Sequence, residues 1–198
     1  MESKRETKEA YEYIVHRRKP LPFLDVIKGK IIADIGCGSG QNCIYMKKIM
    51  NKYAVCVDIA IRQLEESKKK GCEDLVQADM EFLPFRDSSI EALMYIASLH
   101  HLENPRNAIV ESSRVLKKGG EIIATVWLIN LSHLFRRNAF LESRIGDKTV
   151  KRFVHFYMPF ELKKYMESFG NYKTIEYKLY RVKSLLPNNA FYYGIKKS

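Results

Sequence analysis

The sequence predicts an α/β fold, in which a mostly parallel sheet carries helices on both faces and ends in an antiparallel strand pair. Between Lys30 and Trp127, apolar runs of strand length alternate with segments of helical spacing. Such alternation is typical of parallel strands joined by helices. Beyond residue 128 the regularity fades, and only the last segments alternate again as paired strands do.

The expected elements follow in chain order. The N-terminal stretch to about Tyr13 has the pattern of a charged amphipathic helix, and Pro20 and Pro22 end it. Seven segments are predicted strands: "KIIADI", "YAVCVDI", "EDLVQAD", "SIEALMYIAS", "EIIATVWL", "YKTIEYKLYRV" and "AFYYGIKK". Four later segments are predicted helices: "QNCIYMKKIM", "IRQLEESKKKG", "PRNAIVESSRVLKKGG" and "MPFELKKYMESFG". Residues 128–150 are expected to be irregular or weakly helical.

Length and composition predict a single globular domain over residues 1–198. The chain is 46% hydrophobic and 12% aromatic, which differs from a disordered composition. Its apolar runs are only strand-length, so no membrane span is expected. The charged N-terminus lacks an apolar signal region, and a cytoplasmic location is expected, with the nucleus as the alternative.

A glycine loop follows the first predicted strand. In "ADIGCGSGQN", Gly36, Gly38 and Gly40 permit a tight turn and a close approach of a ligand to the backbone. No Lys-Ser or Lys-Thr pair follows the glycines, so the loop is not a P-loop. Asp34 precedes them on the strand. The loop predicts a ligand at the carboxyl ends of the strands.

Acidic residues end the next two strands and indicate the kind of ligand. Asp58 ends the second strand, where its carboxylate can accept hydrogen bonds from ribose hydroxyls. Asp79 ends the third strand and could receive an adenine amino group, while Met80 packs on the ring. These positions predict a cofactor that contains ribose and adenine, although Met80 could instead be a core residue.

Four cysteines and the net charge give weaker indications. Cys37, Cys43, Cys56 and Cys72 form no CxxC pair and lie near no histidine at metal spacing. Reduced structural thiols are therefore expected, with no bound metal. The net charge of +11 suits a polyanion such as nucleic acid, but a solvated basic surface explains it equally well.

The loop and its acids resemble those of class I S-adenosylmethionine-dependent methyltransferases over residues 30–127. This resemblance implies a Rossmann-like seven-stranded sheet with S-adenosylmethionine as cofactor. It implies that Asp34 and the glycines border the methionyl end, Asp58 holds the ribose, and Asp79 with Met80 holds the adenine; Ala97 completes this set. A nicotinamide-dependent oxidoreductase is less favoured, because the GxGxxG spacing is absent.

Four separated segments resemble the tRNA wobble-uridine carboxymethyl methyltransferases in particular. The segments are "RRKPLP", "KGCEDLVQADMEFLPFRDSSIEALMYIASLHHL", "LKKGGEIIATVWL" and "RFVHFYMPFEL". The chain departs from this family at Arg18, Leu21 and Val154, where aromatic residues are usual. The family's long insert before Arg152 is also shortened. The resemblance divides the domain into an N-terminal substrate-side segment (1–22), a cofactor-binding core (30–127) and a substrate-side insert with the C-terminal strands (128–198).

The resemblance implies methyl transfer to the carboxylate of a carboxymethyl group on wobble uridine, which yields a methyl ester. The acceptor is already ionised at neutral pH, so the enzyme needs positioning groups and no strong base. Arg17 and Arg152 are candidates to grip carboxylate or phosphate. Trp127 could stack on the base, and His155 could donate to substrate oxygens. Surface, core or helix-orienting roles are the alternatives for these four.

His100 and His101 follow the fourth predicted strand, at the edge where open sheets carry their sites. Adjacent side chains there cannot both point the same way. One of them is expected to position substrate, and the other to pack or to cap towards Asn104 and Pro105.

The resemblance also implies two partners, tRNA and a small zinc-bearing activator subunit. The short third strand, within residues 73–78, should lie at a sheet edge, which invites strand addition by another chain. Two alternatives stay open: a small-molecule methyltransferase of the quinone or lipid type, and a non-catalytic RNA-binding module.

Overall fold

The computed structural model describes residues 2–15, 18–130, 133 and 136–198. Its helices are α1 (Glu2–Tyr11), α2 (Gln41–Lys48), α3 (Ile61–Lys69), α4 (Arg106–Val115) and α5 (Glu161–Phe169). Its strands are β1 (Ile31–Ile35), β2 (Tyr53–Asp58), β3 (Leu75–Gln77), β4 (Ile90–Ile96), β5 (Leu116–Trp127), β6 (Asn138–Ile145), β7 (Lys148–His155), β8 (Tyr172–Tyr180) and β9 (Asn189–Lys196). Two short 3₁₀ turns, Leu24–Val26 and Leu99–His101, complete the described elements.

Seven strands form the main sheet in the order β3-β2-β1-β4-β5-β9-β8. Strands β1 to β5 pair in parallel, whereas β9 runs antiparallel to both of its neighbours. This confirms the predicted fold class. Strand order reverses between β1 and β4, which opens a crevice at the carboxyl ends of these strands.

Apolar side chains cover both faces of this sheet. On one face, Ile32 and Met94 pack with Met46 of α2 and Leu64 of α3. On the other face, Ala33, Leu93 and their neighbours pack with α4 and α5. Neighbouring residues of a strand point to opposite faces of the sheet. Since both faces are covered, most residues of a central strand are buried, and its sequence is a largely continuous apolar run.

Residues 138–155 differ from the sequence expectation, because they form a β-hairpin. The irregular or weakly helical structure expected for residues 128–150 is wrong for β6 and for the first part of β7. The hairpin pairs Ile145 with Lys148 across a two-residue turn, in which Gly146 has a φ of 60°. Most side chains of β6 and more than half of those of β7 are polar or exposed. The two segments of the hairpin therefore lack the alternation of apolar and polar residues that predicts strands. The Gly-Asp turn between two eight-residue segments is the signal that identifies it.

Helix α1 packs against this hairpin and brings both elements over the crevice. Ala10 and Ile14 form a small apolar cluster with Val150 of β7. The Thr7 hydroxyl accepts a hydrogen bond from the Phe153 amide at 3.0 Å. Helix α1 and the hairpin therefore form one cap beside the carboxyl ends of the strands.

Helix α4 ends earlier than predicted, at Val115, and β5 begins at the next residue. Ile90 pairs with Leu116 and Ala92 pairs with Glu121, so the residues between Leu116 and Glu121 bulge out of register. The glycines that were expected to stop the helix lie in this bulge. Among the described residues, no helix combines the length and apolar character needed to cross a membrane.

Candidate cofactor and substrate site

A cavity opens at the carboxyl ends of β1, β2 and β4, where strand order reverses. Its volume, open mouth included, is about 870 Å³. The glycine loop, the ends of β2 and β4, and helix α1 line it. Seven of the predicted site residues lie in its wall: Gly36, Gly38, Asp58, Asp79, Met80, Ala97 and His101.

Backbone packing fixes the glycine loop against the neighbouring strands. The amides of Gly36 and Cys37 both donate to the Val57 carbonyl, at 2.8 and 3.0 Å. Gly36 has a φ of 72°, and a Cβ at this position would lie 2.6 Å from the Ser98 Cβ. Only glycine therefore allows the loop to fold this closely against the end of β4.

Asp58 lies at the centre of the cavity wall, where β2 ends. Its two carboxylate oxygens accept hydrogen bonds from the Gly38 amide (2.9 Å) and the Ala60 amide (3.0 Å). Burial raises the pKa of Asp58 to about 6, although these amides favour the ionised form. At neutral pH the carboxylate is largely ionised and suited to accept hydrogen bonds from a vicinal diol.

Asp79 forms part of an ion-pair cluster that fastens α1 to the cavity. The Lys4 ammonium lies 2.6 Å from Asp79 Oδ2 and also contacts the Glu81 carboxylate. Asp79 Oδ1 accepts a hydrogen bond from the Glu81 amide at 3.0 Å. Met80 lines the cavity beside this carboxylate. The predicted adenine position therefore lies beneath the first turn of α1.

Asp34 and Gly40 support the loop from outside the cavity wall. Asp34 is fully buried, and its Oδ1 atom has no hydrogen-bond partner among the described residues. Burial raises the pKa of Asp34 well above its ordinary value. Gly40 packs against α3, where an added Cβ would lie 2.6 Å from the Ser67 hydroxyl.

Ala97 marks the point where β4 turns into the cavity. It is a non-glycine residue with a positive φ of 56°, a conformation that costs free energy and clusters at functional sites. The Thr125 hydroxyl of β5 accepts a hydrogen bond from the Ala97 amide at 2.9 Å. This contact holds the turn in its strained conformation.

The twin histidines take two different positions in the turn that follows β4. His101 lines the cavity, with Nε2 2.8 Å from the Tyr11 hydroxyl and Nδ1 2.7 Å from the Phe153 carbonyl. The carbonyl can only accept, so Nδ1 carries a proton. His100 is fully buried behind it and stacks on Trp127, with ring centres 4.6 Å apart. Burial, with the electrostatic effect of His101, lowers the pKa of His100 well below its ordinary value.

The other predicted substrate residues lie behind the cavity or on the hairpin. Trp127 stacks between His100 and Phe156. Arg152 donates to the Ser143 hydroxyl at 2.7 Å, and its Nε is buried without a partner among the described residues. His155 Nδ1 lies 2.6 Å from Asn138 Oδ1. None of these three side chains lines the described cavity wall, and Arg17 lies outside the described residues.

Helix α1 contributes cavity residues that the sequence interpretation missed. Lys4, Thr7 and Tyr11 line the cavity from one face of α1, and exposed Arg18 lies at its rim. Their spacing of three and four residues places the first three on one helix face. This polar stripe with one tyrosine is the signal that could have identified them.

The four cysteines meet beneath the glycine loop, although they are separated along the chain. The sulfur atoms of Cys43, Cys56 and Cys72 all lie within 4.8 Å of one another, and all three residues are buried. Cys37 is also buried, and its sulfur lies 3.4 Å from the Gly38 carbonyl oxygen. The sulfur cluster thus adjoins the cofactor loop and lies on the sheet face covered by α2 and α3.

The strand order, the glycine loop and the carboxylate at the end of β2 define the fold of class I S-adenosylmethionine-dependent methyltransferases. A family model described as "Methyltransferase domain" matches residues 33–124, which extend from β1 into β5. Over this segment, which holds the glycine loop and Asp58, the chain is similar to this class of methyltransferases, whose cofactor is S-adenosylmethionine.

Several relatives match at the level of sequence, and two of them serve as examples. The human "Probable tRNA methyltransferase 9B" is 36% identical over 102 residues, which cover 50% of this chain and 22% of the relative. The Arabidopsis thaliana "tRNA (carboxymethyluridine(34)-5-O)-methyltransferase" is 39% identical over 113 residues, or 55% of this chain and 27% of the relative. The matches thus cover about half of this chain and about a quarter of these relatives.

Many solved structures share the fold, and two of them serve as examples. A SAM-dependent methyltransferase from Methanosarcina mazei superposes with a TM-score of 0.73 at 17% identity, covering 91% of this chain and 99% of that one. A chain from the complex between the Haloferax volcanii Trm112 methyltransferase activator and a methyltransferase gives 0.66 at 15% identity, covering 98% and 90%.

The residues of the cavity fit S-adenosylmethionine. Asp58 suits ribose hydroxyls, and Asp79 with Met80 suits an adenine ring. The glycine loop leaves room for the methionyl group near Ser98, whose hydroxyl is buried without a partner among the described residues. When bound, this cofactor supplies an electrophilic methyl group on a sulfonium centre. The task that remains for the chain is to hold an acceptor in line with that methyl group.

Proposed function

We propose that this chain transfers the methyl group of S-adenosylmethionine to the carboxylate of a carboxymethyl group on the wobble uridine of tRNA. The product is a methyl ester. Relatives named as tRNA methyltransferases, one of them specific for carboxymethyluridine by name, support this activity. The net charge of +11 supports an anionic substrate.

One observation carries the proposal: Arg18 and Arg152 lie close enough to His100 and Tyr11 to act on them, and burial lowers the pKa of His100 well below its ordinary value. The guanidinium groups of Arg18 and Arg152 both act electrostatically on buried His100 and on Tyr11. Their charges lower the pKa of His100 further, and burial alone already keeps this imidazole neutral. A positive field would attract an anionic acceptor and hold it near the cofactor.

This arrangement favours an acceptor that is already ionised. A carboxylate loses no proton on methylation, so the site must only desolvate and align it. His101 can serve as a positioning group, because its Nδ1–H donates to the Phe153 carbonyl and its Nε2 faces the Tyr11 hydroxyl. A strong general base would instead be expected for an uncharged hydroxyl acceptor.

The chain would recruit tRNA through the rim of the same cavity. Arg18 is exposed there, on the chain segment that follows α1, and Arg17 precedes it in the sequence. Arginines are suited to bidentate contacts with phosphate and carboxylate groups. Trp127, Arg152 and His155 would shape the substrate side from behind, Trp127 through its stack on His100.

A small activator subunit is proposed as a partner. Strand β3 has a hydrogen-bonded neighbour on one side only, β2, within the described sheet. An unpaired edge is suited to strand addition by another chain. The structural neighbour from a complex with the Trm112 activator supports a partner of this kind. Activity in the cytoplasm or the nucleus, where tRNA is modified, accords with this proposal.

The test uses labelled S-adenosylmethionine and two tRNAs that differ only in the carboxymethyl group at the wobble uridine. The proposal predicts label transfer to the carboxymethyl-bearing tRNA alone, and stronger transfer when the activator subunit is added. Transfer to the tRNA that lacks the carboxymethyl group would contradict it. Transfer to a quinone or lipid acceptor and to neither tRNA would support a small-molecule methyltransferase instead.

Arg18→Ala provides a variant for the same assay, and Lys19→Ala is its matched control. Both side chains are exposed neighbours, but only Arg18 lines the cavity. Arg18→Ala should raise the KM for tRNA severalfold while cofactor affinity stays unchanged. Lys19→Ala should change neither, and equal effects of the two variants would contradict the proposed role of Arg18.

A further inference from the structure

All four cysteines of the chain converge on one buried cluster beneath the glycine loop. They come from four different places: the loop itself (Cys37), α2 (Cys43), β2 (Cys56) and the turn after α3 (Cys72). Each exposes at most 2% of its surface. The methyl-transfer site uses none of these thiols, so their convergence needs a separate explanation.

The spacing of the sulfur atoms is close to that of a metal site. The Sγ atoms of Cys43, Cys56 and Cys72 lie within 4.8 Å of one another. In a tetrahedral zinc site, Zn–S bonds of about 2.3 Å place the sulfur atoms about 3.8 Å apart. Closing the cluster around an ion therefore requires each sulfur to move by about 1 Å or less. Side-chain rotation can supply such a movement without a change of fold.

A second observation at the same place indicates a cation. Asp34 is fully buried, and its Oδ2 atom lies 3.9 Å from the Cys43 sulfur. Its other oxygen, Oδ1, has no hydrogen-bond partner among the described residues. The Asp34 carboxyl group has the Cys43 thiol and the Asn42 side chain as partners, but its unpaired oxygen is still costly to bury, and metal coordination is one way in which proteins satisfy such an atom.

We propose that Cys43, Cys56 and Cys72 bind one Zn²⁺ ion, with the fourth position filled by Cys37 or Asp34, which both border the group. The site is closed and structural, because every sulfur ligand is buried. It adjoins the cofactor loop, since the sulfur atoms of Cys37 and Cys72 lie 3.4 and 3.8 Å from the carbonyl oxygens of Gly38 and Gly40. The bound ion would brace this loop from behind.

The experiment measures metal content in the full chain, purified reduced and without added activator. Elemental analysis should find one zinc per chain, and replacement by Co²⁺ should give thiolate-to-cobalt charge-transfer absorption. Cys56→Ser and Cys72→Ser should lose both signals. Met46→Leu, a change of similar volume in the same core, should keep them. Cys37→Ser and Asp34→Asn identify the fourth donor, because only the variant that lacks this donor should have a lower zinc content or an altered cobalt spectrum.

Three results would overturn the proposal. The wild-type chain could contain no zinc after zinc is supplied and excess is removed. A second preparation, purified without reductant, could contain a disulfide between these cysteines, seen as a mass deficit that reduction reverses. The cobalt form could lack charge-transfer absorption, which would place the ion away from sulfur. The wild-type measurements decide the question even if the serine variants fail to fold.

Discussion

Replacement of Asp58 by asparagine tests the electrostatics of the cofactor site. The folded chain raises the pKa of this carboxyl from 3.8 to about 6 because of burial. A shift of this size corresponds to about 3 kcal/mol of stability, at 1.36 kcal/mol for each pKa unit. Since the pKa is raised, the contribution is complete below pH 3.8 and is lost as pH rises through 6. At neutral pH the cofactor-free protein is therefore less stable, by about 3 kcal/mol, than it would be with Asp58 protonated.

Asp58→Asn removes the titration but adds a cost of its own. One oxygen of the carboxylate becomes an amide group, which cannot accept the hydrogen bond from Gly38 or Ala60. An unpaired buried amide costs about 1–3 kcal/mol. At pH 7.5 these effects largely offset each other, and the variant should match or exceed the wild type in stability by up to about 2 kcal/mol.

Urea unfolding without cofactor at pH 7.5 and pH 5 measures the effect. Over this interval the wild type should gain about 1.4 kcal/mol relative to Asp58→Asn, because Asp58 takes up most of a proton at pH 5. Asp147→Asn, at the exposed tip of the hairpin, is the control and should change stability by less than about 0.5 kcal/mol. A wild-type-minus-variant difference that is the same at both pH values would refute the reasoning.

Three further variants test other parts of the account. Glu121→Gln leaves one carbonyl oxygen for the Lys28 and Gly29 amides and the Tyr193 hydroxyl, so urea unfolding should show a loss of about 2 kcal/mol; an unchanged midpoint would contradict it. Tyr11→Phe removes the hydroxyl that faces His101 and should lower kcat severalfold while calorimetric cofactor affinity stays within twofold; a changed affinity alone would place Tyr11 at the cofactor. Gln77→Pro removes an edge amide of β3 and should abolish activator binding in a pull-down, whereas Gln77→Ala should bind normally; equal binding would rule out docking at this edge.

The cofactor half of the molecule was predictable because its signals are local. The loop glycines and Asp58 follow strands whose apolar runs identify them, and parallel strands present their carboxyl ends at one edge. From that rule alone, Gly36, Asp58 and Met80 are expected near one another at this edge, and all three line the cavity. The resemblance to class I methyltransferases also implied that β3 lies at a sheet edge, as the strand order confirms.

The substrate half was less predictable because its structure depends on contacts between distant segments. The hairpin of β6 and β7 has little apolar signal of its own, and it is stabilised where Val150 packs against α1. The α1 residues reach the cavity only through this packing. No sequence pattern shows that Lys4 pairs with Asp79, since 75 residues separate them. The cysteine cluster was not predicted for the same reason, because its members are far apart in the sequence and meet only in the folded chain.

The stability of the product in mild alkali tests the central claim, methyl ester formation on tRNA, most directly. Carboxymethyl-bearing tRNA is labelled by the chain with its activator subunit, and half of it is treated with mild alkali before the remaining label is counted. Ester formation predicts that the label leaves the RNA as volatile methanol and that the nucleoside returns to carboxymethyluridine. Label that stays on the RNA after alkali would show methylation of a base nitrogen, a base carbon or a ribose, and would contradict the claim.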